Sequence, residues 1–211
     1  MSALADVGLA CGYLGALLGV CMLAPQVTRT FRNRGAPGVS ALSWALTALG
    51  SGAWLLYGLR ANEAPQLPGN TLVVAGAAVI VLAVPSSVAQ RGRLGMLTLA
   101  GLALLASALV LPTREVGYVA LAVGIVSTVP QTFRSLVGSS AGEVSAVSVP
   151  SWLLRATSQV CWLVFAIANH DVAIFASAVF ILSSSVLLSV VELRNRPASR
   201  PSDRHCASPV V

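Results

Sequence analysis

Lysine is missing from this chain: all 13 basic residues are arginine. That removes a retinal Schiff base and the lysine of a phosphate-cradling P-loop, so light-driven and ATP-driven pumps of those kinds are excluded. Charge of either sign is scarce, at 9% of 211 residues against about 25% in soluble domains. The four cysteines, Cys11, Cys21, Cys161 and Cys206, form no Cys-x-x-Cys or Cys/His cluster. Free thiols follow, with no disulfide, metal site or cofactor expected. No nucleophile, base and orienting residue assemble into a catalytic set, which argues against an enzyme. A net charge of +6 would suit nucleic acid. The arginines, however, stand at the ends of apolar runs rather than on one soluble face, so no nucleic-acid partner is expected.

What the chain has in abundance is hydrocarbon. Hydrophobic residues make up 56% of it, and the mean hydropathy is +0.82. A soluble domain of this size could not bury so much apolar surface, so the lipid bilayer must be its solvent. A spanning helix needs roughly 20 mostly apolar residues. Seven such runs are expected, near 7–27, 40–59, 67–88, 94–111, 116–132, 147–168 and 172–193. The opening "MSALADVG" lacks the basic start of a signal peptide, so the first run reads as a span.

Arg29, Arg32 and Arg34 follow run one, Arg91 and Arg93 run three, Arg134 run five and four arginines run seven, while the alternate loops hold Arg60 with Glu63, Arg114 with Glu115, and Asp171 with no arginine. Positive charge favours the cytoplasmic side. The expected protein is therefore integral to the membrane, a bacterial plasma membrane, with its N-terminus outside and its C-terminus in the cytoplasm. The tail "RNRPASRPSDRHCASPVV", rich in Pro, Ser and Arg, has the composition of disorder.

The chain also repeats itself. Shifted by 105 residues, "CGYLGALLGVCMLAPQVTR" falls on "VGYVALAVGIVSTVPQTFR". Gly12, Tyr13, Gly19, Pro25, Gln26 and Arg29 meet Gly117, Tyr118, Gly124, Pro130, Gln131 and Arg134. With the offset widened to 108, Ser43, Trp44 and Trp54 meet Ser151, Trp152 and Trp162, and Tyr57 meets Phe165. Apolar composition does not produce paired tryptophans and Pro-Gln steps by chance.

Each repeat therefore holds three spans. Three crossings reverse the chain's direction, and one additional span restores it. The expected fold is an all-α membrane protein of seven transmembrane helices, two parallel three-helix repeats joined by a linker helix (3+1+3). Its units are a first repeat at 1–90, the linker helix at 91–112, a second repeat at 113–193 and a disordered cytoplasmic tail at 194–211. Parallel repeats share an interface along the membrane normal, the natural place for a solute path.

Two three-helix repeats, each with Pro-Gln closing its first helix and a tryptophan late in its second, resemble the SWEET/SemiSWEET and PQ-loop transporter superfamily. The ensemble "PQ…R…VS…SW…W…YG…N", from Pro25 to Asn70, carries the resemblance. It implies a hinge at Pro25 and Gln26 and again at Pro130 and Gln131. Proline removes one helical hydrogen bond, leaving the Cys21 and Val126 carbonyls in need of other partners. The resemblance also implies that Trp54 and Trp162 face each other across a solute cavity, with Asn70 offering its amide to hydroxyl groups.

Other residues join the candidate site by position. Ser51 and Gln159 are equivalent in the two repeats. The second repeat departs at the asparagine, carrying Ala178 with Ser177 beside it. Arg155, inside the sixth run, either lines the cavity or snorkels to the cytoplasmic surface. Trp44 and Trp152, at the starts of their runs, fit interfacial anchors. Gly8, Gly12, Gly15 and Gly19 give the first run a small-residue face for close helix packing.

The resulting expectation is a transporter of a small polar solute, a sugar first, by alternating-access facilitated diffusion. No carboxylate lies in the core of a run, since Asp6, Glu63, Glu115, Glu143, Asp171 and Glu192 stand near ends or in loops, which favours passive movement over proton coupling. A carrier of an amino acid or other ionic metabolite, suggested by Arg155, is the alternative. A non-transporting seven-helix receptor is the second, since fold alone does not set function. The shared apolar surface leaves room for a homo-oligomer.

Overall fold

The computed structural model describes residues 3–32, 41–83, 88–140 and 149–194. They form seven helices: α1 (Ala3–Arg32), α2 (Ala41–Ala61), α3 (Gln66–Ala83), α4 (Val88–Val110), α5 (Thr113–Ser140), α6 (Val149–Asn169) and α7 (Val172–Arg194). There is no strand among the described residues.

All seven apolar runs are helices. Ala3–Met22, Arg91–Val110 and Val172–Val191 are each long and apolar enough to cross a bilayer by composition alone. Gln66–Leu82 and Leu153–Asn169 are shorter apolar helices. Large apolar side chains also stand on the outside, among them Leu82, Leu109 and Val110, each more than four-fifths exposed. Water would not tolerate that surface; lipid does. The protein is integral to the membrane.

The Pro-Gln pairs do not end their helices. The backbone is helical through Pro25 to Arg32 and through Pro130 to Ser140, beyond the expected ends at 27 and 132. A proline costs the helix one hydrogen bond and crowds one carbonyl, but the following turns are free to continue. The side chains of Pro25, Gln26, Pro130 and Gln131 lie outside the described residues, as does the backbone of the tail from 195.

Six helices close a ring in the order α1, α6, α7, α5, α2, α3. In each repeat the third helix lies between the first two, so α3 separates α1 from α2 and α7 separates α5 from α6. The repeats meet at two matching seams, α1 on α6 and α5 on α2. Helix α4 stands outside the ring, packed on α2 with a small contact to α5. Arg60, at the end of α2, donates from Nη1 to the Ala108 carbonyl in the last turn of α4. A guanidinium there satisfies a carbonyl that has no partner in its own helix and suits the negative end of the helix dipole.

The loops after α2 and α6 are built alike. Each helix ends in a residue with left-handed backbone, Asn62 (φ 57°) and His170 (φ 55°). The next amide then turns back to the helix, Glu63 N to Gly58 O at 2.9 Å and Asp171 N to Ala166 O at 2.9 Å. That left-handed cap closes orphan carbonyls and reverses the chain sharply. One carboxylic residue thus leaves each repeat at an equivalent point.

Candidate functional site at the repeat interface

The seams are set by glycine. A methyl group on Gly8 would lie 2.4 Å from the Ala168 Cβ, and one on Gly12 2.7 Å from the Phe165 ring. On Gly15 it would meet the Trp162 indole nitrogen at 3.1 Å. Small residues let two backbones approach this closely. Gly19, on the same face, has nothing within 4 Å, so three of the four glycines serve the packing expected of them. Buried Ser158 then ties α6 to α1 by donating from Oγ to the Gly15 carbonyl at 2.8 Å.

The second seam repeats the scheme with different side chains. A methyl on Gly117 would meet the Tyr57 ring at 2.8 Å and Ala173 at 3.0 Å; one on Gly12 meets Phe165 and Pro65. The Trp54 indole nitrogen lies 3.5 Å from where a methyl on Gly124 would stand.

The two tryptophans hold equivalent places. Trp54 stands edge-on to Tyr57, with ring centroids 5.9 Å apart and planes at 81°. Trp162 stands edge-on to Phe165 at 5.5 Å and 89°. The i, i+3 spacing puts each pair on one helix face, and this geometry is the favoured one for aromatic rings. Both tryptophans are only partly buried and pack against a shared cluster drawn from both repeats, including Ala53, Tyr57, Ala120, Phe165 and Ile174.

The other candidates lie on α2, α3, α6 and α7. Ser51 and Gln159 are half-buried, each one turn before its tryptophan. Arg155 is half-buried one turn before Gln159. Ser177 is buried on α7, and Ala178, at the position equivalent to Asn70, is 1% exposed. That alanine is packed away, whereas Asn70 on α3 is half-buried.

Asn70 is also bonded. Its Nδ2 donates to the Gln66 carbonyl at 2.9 Å and approaches Gln66 Oε1 at 3.5 Å. Gln66, 3% exposed, donates from Nε2 to Glu63 Oε2 at 2.8 Å. Asp171, from the other repeat, is the charged neighbour that acts on Glu63. Asp171 accepts the Tyr57 hydroxyl on Oδ2. On Oδ1 it accepts the Ile174 amide at 2.8 Å, capping α7. One run of polar contacts therefore goes from Asn70 through Gln66 to Glu63, and a separate one joins the repeats from Tyr57 to Asp171. Burial raises the Glu63 pKa to about 8; Asp171 beside it acts in the same direction, and the Gln66 amide partly opposes them.

Glu63, Asp171, Tyr57, Gln66 and Ser158 were not singled out as site residues from the sequence, where both carboxylates read as ordinary loop charge. The 108-residue offset that pairs Trp54 with Trp162 also pairs Glu63 with Asp171, and that was the available signal. No group of three metal-binding side chains occurs among the described residues, and Cys11, Cys21 and Cys161 are free thiols.

Residues 7–67 match the family model of the PQ loop repeat. The chain is 29% identical over 72 residues to the sugar transporter SemiSWEET of Bradyrhizobium diazoefficiens, covering 33% of this chain and 84% of that one. Its fold is like that of a eukaryotic SWEET transporter solved at 3.7 Å, with a TM-score of 0.78 at 17% identity. The likeness covers 92% of this chain and 99% of the other. Residues 7–67 thus match a PQ loop repeat, and the whole chain has the fold of that SWEET transporter.

Proposed function

We propose that the protein carries a small polar solute, a sugar first, across the membrane by alternating access along the interface between its repeats. The observation that carries this reading is the matched placement of Trp54 and Trp162, each half-buried and edge-on to its own aromatic neighbour. An indole face suits the C–H face of a sugar ring, while Asn70, Ser51, Gln159 and Ser177 supply polar contacts that fix orientation. The names of the relatives, a sugar transporter and a SWEET transporter, point the same way.

In this reading the Tyr57–Asp171 contact closes the end that carries the N-terminus, on the outer side. The Pro25–Gln26 and Pro130–Gln131 steps let the cytoplasmic arms of α1 and α5 swing. The test is uptake of labelled sugars into proteoliposomes. Replacement of both tryptophans, Trp54→Ala with Trp162→Ala, should reduce uptake at least tenfold, on the order of one lost stacking contact per face. Undiminished uptake would remove the site.

A second reading, an anionic solute, is favoured by Arg155, half-buried in line with Gln159 and Trp162 on α6. Solute-dependent current that vanishes in Arg155→Gln would select it; current-free sugar uptake in that variant would dismiss it.

A further inference from the structure

The two seams share a plan but not a fastening. On the α1–α6 seam, Ser158 of α6 is 3% exposed and donates its hydroxyl hydrogen to the Gly15 carbonyl of α1 at 2.8 Å. A carbonyl already engaged in its own helix keeps a second lone pair, so the bond adds to α1 without unwinding it. Parting the helices there would strip a buried hydroxyl of its acceptor, which is costly away from water. One turn along α6 from Ser158 stands Trp162. Its indole edge rests on the same glycine: a methyl on Gly15 would lie 3.1 Å from Nε1 and 3.2 Å from Cδ1. A single backbone position of α1 thus receives both the hydroxyl and the indole.

The α2–α5 seam differs at both partners. In the repeat alignment Gly50 is the equivalent of Ser158, and Ala120 the equivalent of Gly15. Glycine has no hydroxyl to give, and Ala120, fully buried, carries the methyl that Gly15 lacks. The serine on this seam comes from α5. Ser127 places its hydroxyl 3.5 Å from where a methyl on Gly50 would stand, and it donates back to the Gly124 carbonyl of its own helix at 2.9 Å. Trp54 meets α5 at Gly124, its indole nitrogen 3.5 Å from the position of a methyl there, an ordinary contact. Within their own repeats the two indoles are held alike, edge-on to Tyr57 and to Phe165. The difference between them therefore lies in the seams.

We propose that Ser158 is a positioning residue for the solute site: its bond to the Gly15 carbonyl keeps the α1–α6 seam shut and makes Trp162 the fixed wall. Trp54, on the α2–α5 seam, is the wall that moves as solute passes. This deepens the reading of the tryptophans as solute contacts and rests on it. Without the hydroxyl, Trp162 loses its seat and solute is held less well. In proteoliposomes Ser158→Ala should raise the KM for labelled sugar by about two- to tenfold, the loss of one buried hydrogen bond, with the maximal rate little changed. An unchanged KM overturns the assignment.

Fluorine resonance of the full chain, grown on fluorotryptophan, reads the two walls separately and without solute. Its four signals are assigned by replacing Trp44, Trp54, Trp152 and Trp162 one at a time with phenylalanine. In otherwise native protein the Trp162 signal should be narrow and the Trp54 signal broadened by exchange. Ser158→Ala should shift and broaden the Trp162 signal and leave that of Trp54 in place. Gly50→Ser together with Ser158→Gly carries the hydroxyl to the other seam, so the Trp54 signal should narrow and the Trp162 signal broaden. A serine with a purely structural role would lower the melting temperature of Ser158→Ala without moving the Trp162 signal, and that result overturns the proposal. Equal widths for the two signals in native protein overturn it as well. Should Ser158→Ala fail to fold, Ser158→Cys, which keeps the size but donates weakly, is read in the same way. Signals that behave as expected in a protein that takes up no sugar would sink the transport reading and leave the seam assignment standing.

Discussion

Tyr57 of the first repeat gives its hydroxyl hydrogen to Asp171 of the second, 114 residues away in sequence. Both side chains are buried, and the contact joins the two repeats. Its partner positions in the opposite repeat, Phe165 and Glu63, cannot make the same bond: the first lacks the hydroxyl, and the second accepts from Gln66 instead.

Tyr57→Phe should therefore loosen this end while keeping the ring that packs on Gly117 and Trp54. A hydrogen bond to a charged acceptor contributes about 1.5–3 kcal/mol. The parted population, read by pulsed electron resonance from paired spin labels at Ala64 and Val172, should rise by at least about tenfold at neutral pH. An unaltered distribution would show that the bond holds nothing closed.

Gly8→Ala should destabilise the fold, because the added methyl would stand 2.4 Å from the Ala168 Cβ. Overpacking of this kind costs about 1–3 kcal/mol. Thermal melting in detergent should show the loss, and Ala168→Gly in the same chain should recover most of it. Gly19→Ala, with nothing within 4 Å of the new methyl, should melt with the parent.

Ala178→Asn would make the two repeats alike at the position of Asn70, yet it should not supply a second solute contact. Ala178 is 1% exposed, and a larger polar group forced in there costs about 1–3 kcal/mol through crowding and poor hydrogen bonding. A lower melting temperature without gain in uptake is expected. Improved solute affinity would show that the second repeat can accept the amide.

Arg60→Met keeps the apolar stem and removes the cap on α4. Because α4 stands outside the ring, the effect should remain local. Amide exchange at 108–111 should quicken by a factor matching about 0.3–1 kcal/mol, with the overall melting temperature little changed.

Architecture was legible from the residues because lipid imposes a length on every apolar run and duplication ties distant runs together. Trp54 with Trp162 and Gly12 with Gly117 disclosed the parallel halves. The Pro-Gln steps were misplaced as helix ends, since proline's loss of one hydrogen bond is easily taken for termination; α1 instead continues to Arg32 and α5 to Ser140. The site was less legible. Asn70 was assigned to a solute from the resemblance and its amide chemistry, but that amide also answers to Gln66. Glu63 and Asp171 lay outside the apolar runs, and a run-by-run reading classes such residues as solvated. The burial of Asp171 comes with the Tyr57 hydroxyl of the other repeat, which is a property of the assembled ring.

Phe165 standing where Tyr57 stands has a wider consequence. Two separate copies of a single repeat, coming together as a symmetric pair, would have to present every group twice, phenol facing phenol and carboxyl facing carboxyl. Joining the copies through α4 lifts that obligation: one half contributes the hydroxyl, the other its acceptor, and the redundant oxygen is discarded in favour of a plain ring. Fusion thereby turns a mirrored handshake into a hook and an eye.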